Sequence, residues 1–128
     1  MKEYYYYIRS EHHAPIVTVC LVKTDTEVCR GIAICSNKDN PVKKIGRKLA
    51  KKRAMKAYHS KKDSHPIHGK SELNALLRLE TNLYLIVTQQ MKNKSTFDPM
   101  LCSFENAIVT EPEREQPGIE LINPLDKW

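Results

Sequence analysis

Residues 39–59 (DNPVKKIGRKLAKKRAMKAYH) constrain this chain more than any other stretch. They read as the start and body of one helix. Asp39 or Asn40 can cap it, and Pro41 suits the first helical position, where no backbone donor is needed. Seven of the eleven residues from Lys43 to Arg53 are basic. At about 100° per residue, Val42, Ile45, Leu49 and Ala57 fall on one side. Lys43, Lys44, Arg47, Lys48, Lys51 and Lys52 fall on the other. Arg53 breaks the division. It lands near the middle of the apolar stripe, with Gly46, Ala50 and Ala54 along its edge. An arginine turned inward needs a partner, because an unpaired buried charge is expensive. A basic outer face alone describes ordinary solvated surface.

What precedes the helix reads as sheet. Residues 4–9 favour a strand and hold four consecutive tyrosines. Alternation puts aromatics on both of its faces. One face packs the core, and the other is read as a subunit contact or a base-stacking platform. Pro15 opens a continuous apolar run over 16–23, the pattern of a central strand. Residues 24–27 make a tight hairpin connection. Residues 28–35 form a third strand with unlike faces. Val28, Arg30, Ile32 and Ile34 share one face; Cys29, Gly31, Ala33 and Cys35 share the other. A face of small side chains lets a helix lie close, so helix and third strand are expected to pack there.

The second half reads as helical. Ser71 can cap a helix over 71–91, a turn follows over 92–98, and Asp98-Pro99 opens a shorter helix to about Val109. Residues 111–118 (EPEREQPG) form an acidic loop, and 119–122 can add a strand at the sheet edge. The fold class is α+β: an N-terminal three-stranded antiparallel sheet packed by a long basic helix, a second long helix, a short third helix and a C-terminal edge strand. A length of 128 residues makes this one domain, 1–128.

Charge is uneven. Residues 1–70 carry 16 basic and 6 acidic groups, whereas 71–128 carry 5 basic and 9 acidic. The basic half can attract a phosphate-bearing ligand, or it can hold two halves or two subunits together. No 18-residue apolar run spans a membrane, and MKEYYYYIRS lacks a signal-peptide pattern, so a cytoplasmic protein is expected. The four cysteines, Cys20, Cys29, Cys35 and Cys102, show no C-x-x-C spacing and read as reduced core residues. His59, His65 and His68 read as solvated histidines, so no metal is expected.

Enzyme signatures do not emerge. The first strand has no acid to hold the paired metals of an RNase H-like nuclease. No phosphate loop, dinucleotide fingerprint or nucleophile elbow is present. The reading is therefore a binding protein with no catalytic residue and no cofactor. Arginine grips phosphate bidentately and stacks on bases, as aromatic rings do. The candidate ligand-binding residues are Arg30, Lys44, Arg47, Arg53, Phe97 and Arg114. Arg30 and Arg53 are expected to face a shared hollow. The competing reading pairs them internally with Glu80, Asp98 or Glu105.

The run RGIAICSNKDNPVKKIGRKLAKKRAMKA (30–57), preceded by YYYYIRS and APIVTVCLV, resembles small proteins carried by phages of Gram-positive bacteria, and among them the Thoeris anti-defence sponge family. The resemblance covers roughly the first 60 residues. It implies a homo-oligomer, a dimer or higher, that sequesters cyclic ADP-ribose-type signals made by bacterial TIR proteins, and in some members cyclic oligonucleotides. It implies no degradation of the signal, sites between subunits, and action inside an infected bacterial cell. Two alternatives remain open. One is a protein-directed inhibitor such as an anti-CRISPR. The other is a small module binding nucleic acid through residues 43–56.

Overall fold

The computed structural model describes residues 1–9, 15–35, 43–63, 96–101 and 103–110. It is an α+β fold. Strands β1 (Lys2–Arg9), β2 (Pro15–Lys23) and β3 (Val28–Ile34) form an antiparallel sheet in the order β1-β2-β3. Helices α1 (Lys43–Ser60) and α2 (Ser103–Thr110) follow. The expected helix at 71–91, the loop at 111–118 and the edge strand at 119–122 lie outside the described residues, as do Asp39, Asn40 and Pro41.

Register follows from the sequence pattern. Tyr5 pairs with Cys20 and Cys20 with Gly31; Tyr4 pairs with Leu21 and Leu21 with Arg30. Residues in one pairing row share a face. One face therefore carries Tyr5, Tyr7, Thr18, Cys20, Val22, Gly31 and Ala33. The other carries Tyr4, Tyr6, Ile8, Val19, Leu21, Arg30 and Ile32. The hairpin between β2 and β3 is closed by Thr24. Its N–H donates to the Glu27 carbonyl at 2.9 Å, and its hydroxyl accepts from the Glu27 N–H at 3.0 Å. A side chain that bonds the local backbone in this way suits a tight turn.

α1 lies on the Tyr5–Gly31 face, and small residues decide how close it comes. A Cβ built on Gly31 would sit 1.8 Å from the Ala50 carbonyl oxygen and 2.5 Å from the Ala54 nitrogen. Strand and helix thus meet backbone to backbone, as the small-residue face of β3 suggests. The helix is rotated from the expected stripe. Its buried residues are Ala50, Ala54 and Ala57, while Ile45 is 65% exposed. Close approach selects the alanines, because a larger side chain at the contact would hold the helix off the strand. Leu49 and Met55 seal the flanks of this layer.

On the second face α2 reaches the sheet, and its Ile108 is buried. Glu105 reaches Arg30 and Tyr6 there: Arg30 Nε donates to Glu105 Oε2 at 2.9 Å, and the Tyr6 hydroxyl donates to the same oxygen at 2.8 Å. Arg30 Nη2 completes the fork on Oε1. Both charged side chains are at most 1% exposed. All four tyrosines are buried, between 0% and 5% exposed. The expected open aromatic face does not exist, because each side of β1 is covered within one chain.

The free edge of β3 is also occupied. Phe97 bridges Cys29, the Arg30 N–H donates to the Thr96 carbonyl at 2.8 Å, and the Asp98 N–H donates to the Val28 carbonyl at 2.8 Å. Asp63 Oδ1 steadies this segment by accepting from the Phe97 N–H at 2.8 Å. The short third helix consequently begins at Ser103, not at Pro99. Asp98 adopts a left-handed φ of 46°, and its backbone is spent on the sheet edge instead of a helix start.

Candidate anion site at the start of the basic helix

Tyr7 gathers three cations around one ring. Its ring points to the α1 face and is fully buried. Arg9, two residues further along β1, stands on the same side, just past the irregularity between Ile8 and Arg9. Lys43 and Arg47 are one helical turn apart and so share a flank of α1. The three cations converge: Arg9 Cζ lies 5.6 Å from the Tyr7 centroid, Lys43 Nζ 5.4 Å and Arg47 Cζ 5.6 Å. Arg47 also lies 5.8 Å from the Tyr5 centroid, and its Nε donates to the Tyr7 hydroxyl. An aromatic face attracts cations at such distances. The buried rings thus gather three half-buried cations, of which Arg9 has its Nη2 buried.

Gly46 fixes the height of this arrangement. A Cβ there would lie 2.5 Å from Thr18 Oγ1, so the first turn of α1 sits directly on β2. That turn carries no acid. Helix starts present unpaired N–H groups and the positive end of the dipole, which adds to the three side-chain charges. Partial loss of water, then the neighbouring charges of Arg9 and Arg47, hold the Lys43 amine below its ordinary value. The acid nearest in sequence on this face, Glu3, is engaged elsewhere. Lys51 meets it at 2.9 Å, and the Tyr5 hydroxyl donates to it at 2.9 Å. Burial pushes the Glu3 carboxyl up, but these hydrogen bonds outweigh it and hold it below the usual range.

The other candidates scatter. Arg30 is locked to Glu105 on the far face of the sheet. Arg53, half-buried on α1, donates from Nη1 to the Ile32 carbonyl at 2.6 Å. The two arginines lie on opposite sides of the sheet and share no hollow, because Arg30 and Gly31 must point opposite ways along β3. Lys44 is exposed on the outer face of α1. Phe97 sits on the β3 edge, with Lys61 Nζ 5.8 Å from its centroid. Arg114 lies outside the described residues. Of the named residues, Arg47 alone joins the Tyr7 cluster. Arg9 and Lys43 were missed, although the i+2 spacing from Tyr7 and the i+4 spacing to Arg47 carried the signal.

Cysteine chemistry is muted. Cys20 and Cys29 are buried, and Cys35 is of intermediate exposure; Cys102 lies outside the described residues. Burial pushes the Cys20 thiol up to about 12 and also raises the Tyr5 phenol, which Cys20 and Glu3 raise further. The consequence is alkaline lability. Above about pH 9 the unfolded chain ionises these groups while the folded chain keeps them protonated. The unfolded state then binds fewer protons, and stability falls as pH rises. Cys20 alone sets a slope of up to about 1.4 kcal/mol per pH unit. Thermal melts between pH 8 and 11 should show the decline, and Cys20→Ala should flatten it; a pH-independent melt contradicts this account.

No cluster of three metal-ligating side chains occurs among the described residues, and no helix there is long and apolar enough to cross a membrane. His59 stacks edge-on against Tyr58 at 5.3 Å, while His65 and His68 lie outside the described residues. Comparison with known proteins finds no matching family model, no matching curated protein and no matching solved structure.

Proposed function

We propose that this protein binds a small phosphate-bearing ligand at the Tyr7 cluster and sequesters it without transforming it. The ligand class is the one implied by the sequence resemblance: a cyclic ADP-ribose-type signal or a cyclic oligonucleotide, captured by a phage anti-defence protein in the cytoplasm of an infected cell. The observation that carries the reading is the convergence of Arg9, Lys43 and Arg47 on one buried ring at the start of α1. Guanidinium groups match the oxygens of a phosphate and stack on adenine. Arg47 meets the ligand through its Nη nitrogens, since its Nε bonds the Tyr7 hydroxyl, and Arg9 adds charge from beside it, with its Nη2 buried. Lys43 supplies a point charge, and the helix start favours an anion. Tyr7 itself is too buried to stack on a base; it serves as the platform under the cations. A non-catalytic role fits Cys20, whose raised thiol is a poor nucleophile. Homo-oligomers are part of the proposal, since a second copy can enclose a rim that one chain leaves half-exposed.

Isothermal calorimetry against cyclic ADP-ribose isomers and cyclic di- and trinucleotides tests this. Micromolar or tighter binding of at least one ligand is expected, with the ligand recovered chemically intact. Losing a charge-assisted hydrogen bond through Arg47→Ala should weaken it about 10–150-fold. No heat from any of the panel, or recovery of a cleaved product, would overturn the proposal.

A further inference from the structure

α1 has a second charged surface that the Tyr7 cluster does not use. Lys44, Lys48, Lys52 and Lys56 recur at every fourth residue, and all four are exposed. At about 1.5 Å of rise per residue the row runs roughly 18 Å along the helix. The structure separates these lysines from their neighbours. Lys43 is drawn to Tyr7 and Lys51 to Glu3, whereas the row of four makes no ion pair among the described residues. Glu27, a possible partner near the other end of the helix, is taken by Lys61 at 2.9 Å. α1 contains no acid at all. Like charges four residues apart weaken a helix. The row therefore works against the element that carries it unless an anion answers it.

We infer that this row is a docking surface for a nucleic-acid backbone. Charge complementarity selects the partner. A rigid line of ammonium groups fits a polymer with a regular phosphate on every residue, and lysine meets phosphate as a point charge without reading bases. Ile45, 65% exposed on the same outward side, offers an apolar contact for a sugar or base edge. Binding is therefore largely independent of sequence and steeply dependent on salt. The inference stands apart from the small-ligand proposal, because it uses none of Arg9, Lys43 or Arg47.

Fluorescence anisotropy of the full chain with labelled 20-mer DNA and RNA, duplex and single-stranded, decides it. Four phosphate contacts on duplex DNA predict a log–log salt slope of about −3.6, a loss of roughly 150-fold between 50 and 200 mM salt. The double variant Lys48→Gln, Lys52→Gln should halve the slope to about −1.8 and cut the loss to roughly 12-fold. Both positions are exposed, so the variant should melt no lower than the parent. Arg47→Ala should leave the slope unchanged, which keeps the two proposals separable. Absence of binding at 50 mM salt, a slope indifferent to the lysine changes, or capture by phosphatidylserine vesicles without nucleic-acid binding would overturn the inference.

Discussion

Gly31→Ala should cost this protein about 3 kcal/mol or more, a large share of the roughly 5–15 kcal/mol that holds a domain folded. The added methyl has nowhere to go. It would lie 1.8 Å from the Ala50 carbonyl oxygen and 2.5 Å from the Ala54 nitrogen, and both are helix backbone. A flexible side chain can swing aside; a helix must move as a body. α1 would lift off the sheet, opening the contact that buries Ala50, Ala54, Cys20 and Ala33. With a urea slope of about 1.5 kcal/mol per molar, the midpoint should fall by about 2 M. An unchanged midpoint would mean that α1 does not pack where the structure puts it. Gly46→Ala should be milder, because its obstacle is a threonine side chain.

Arg30→Met should be comparably severe, and for an electrostatic reason. It removes the guanidinium from Glu105, which is completely buried. Breaking a buried pair from one side costs about 3–5 kcal/mol, since a charge stays behind in a poor solvent. Glu105→Leu should also destabilise, because it removes the carboxylate that Arg30 Nε and Nη2 bond. The double variant Arg30→Met, Glu105→Leu should recover most of the loss, because an apolar pair needs no compensation. Denaturant titrations of the two single variants and the double variant form the cycle. Strictly additive losses would show that the pair does not act as a unit. Tyr6, whose hydroxyl also donates to Glu105, makes full recovery in the double variant unnecessary to the argument.

The sheet was readable because its signals are local. An apolar run, a hairpin of matched length and a strand with one face of small side chains each occupy fewer than ten residues. The face of Gly31 and Ala33 even named its partner, since only a close-packed helix profits from it. The rotation of α1 was misread for the same reason. Periodicity weighs Ile45 above alanine, whereas at a backbone-to-backbone contact the smallest residue wins and Ile45 is left outside. Arg30 illustrates a different boundary. Its need for an acid follows from its place on an apolar face, but three acids could answer, and nothing in spacing selects a residue 75 positions away. The start of the third helix failed through competition. Asp98-Pro99 has sound capping chemistry, yet the Asp98 N–H is claimed by the edge of β3. The Tyr7 cluster combines a strand spacing with a helix spacing, and only the packed fold superimposes the two.

The order in which the ribosome delivers these pieces has a consequence for newly made protein. α1 can pack on the sheet once residue 60 has emerged, while the Arg30–Glu105 ion pair waits for residue 105. At about 5–20 residues per second, the 45 residues between them take roughly 2–9 s. Throughout that interval Arg30 and the Tyr6 hydroxyl are without the Glu105 carboxylate that both bond in the folded chain. Translation speed across the second half of the message thus sets how long the buried ion pair waits for its acid.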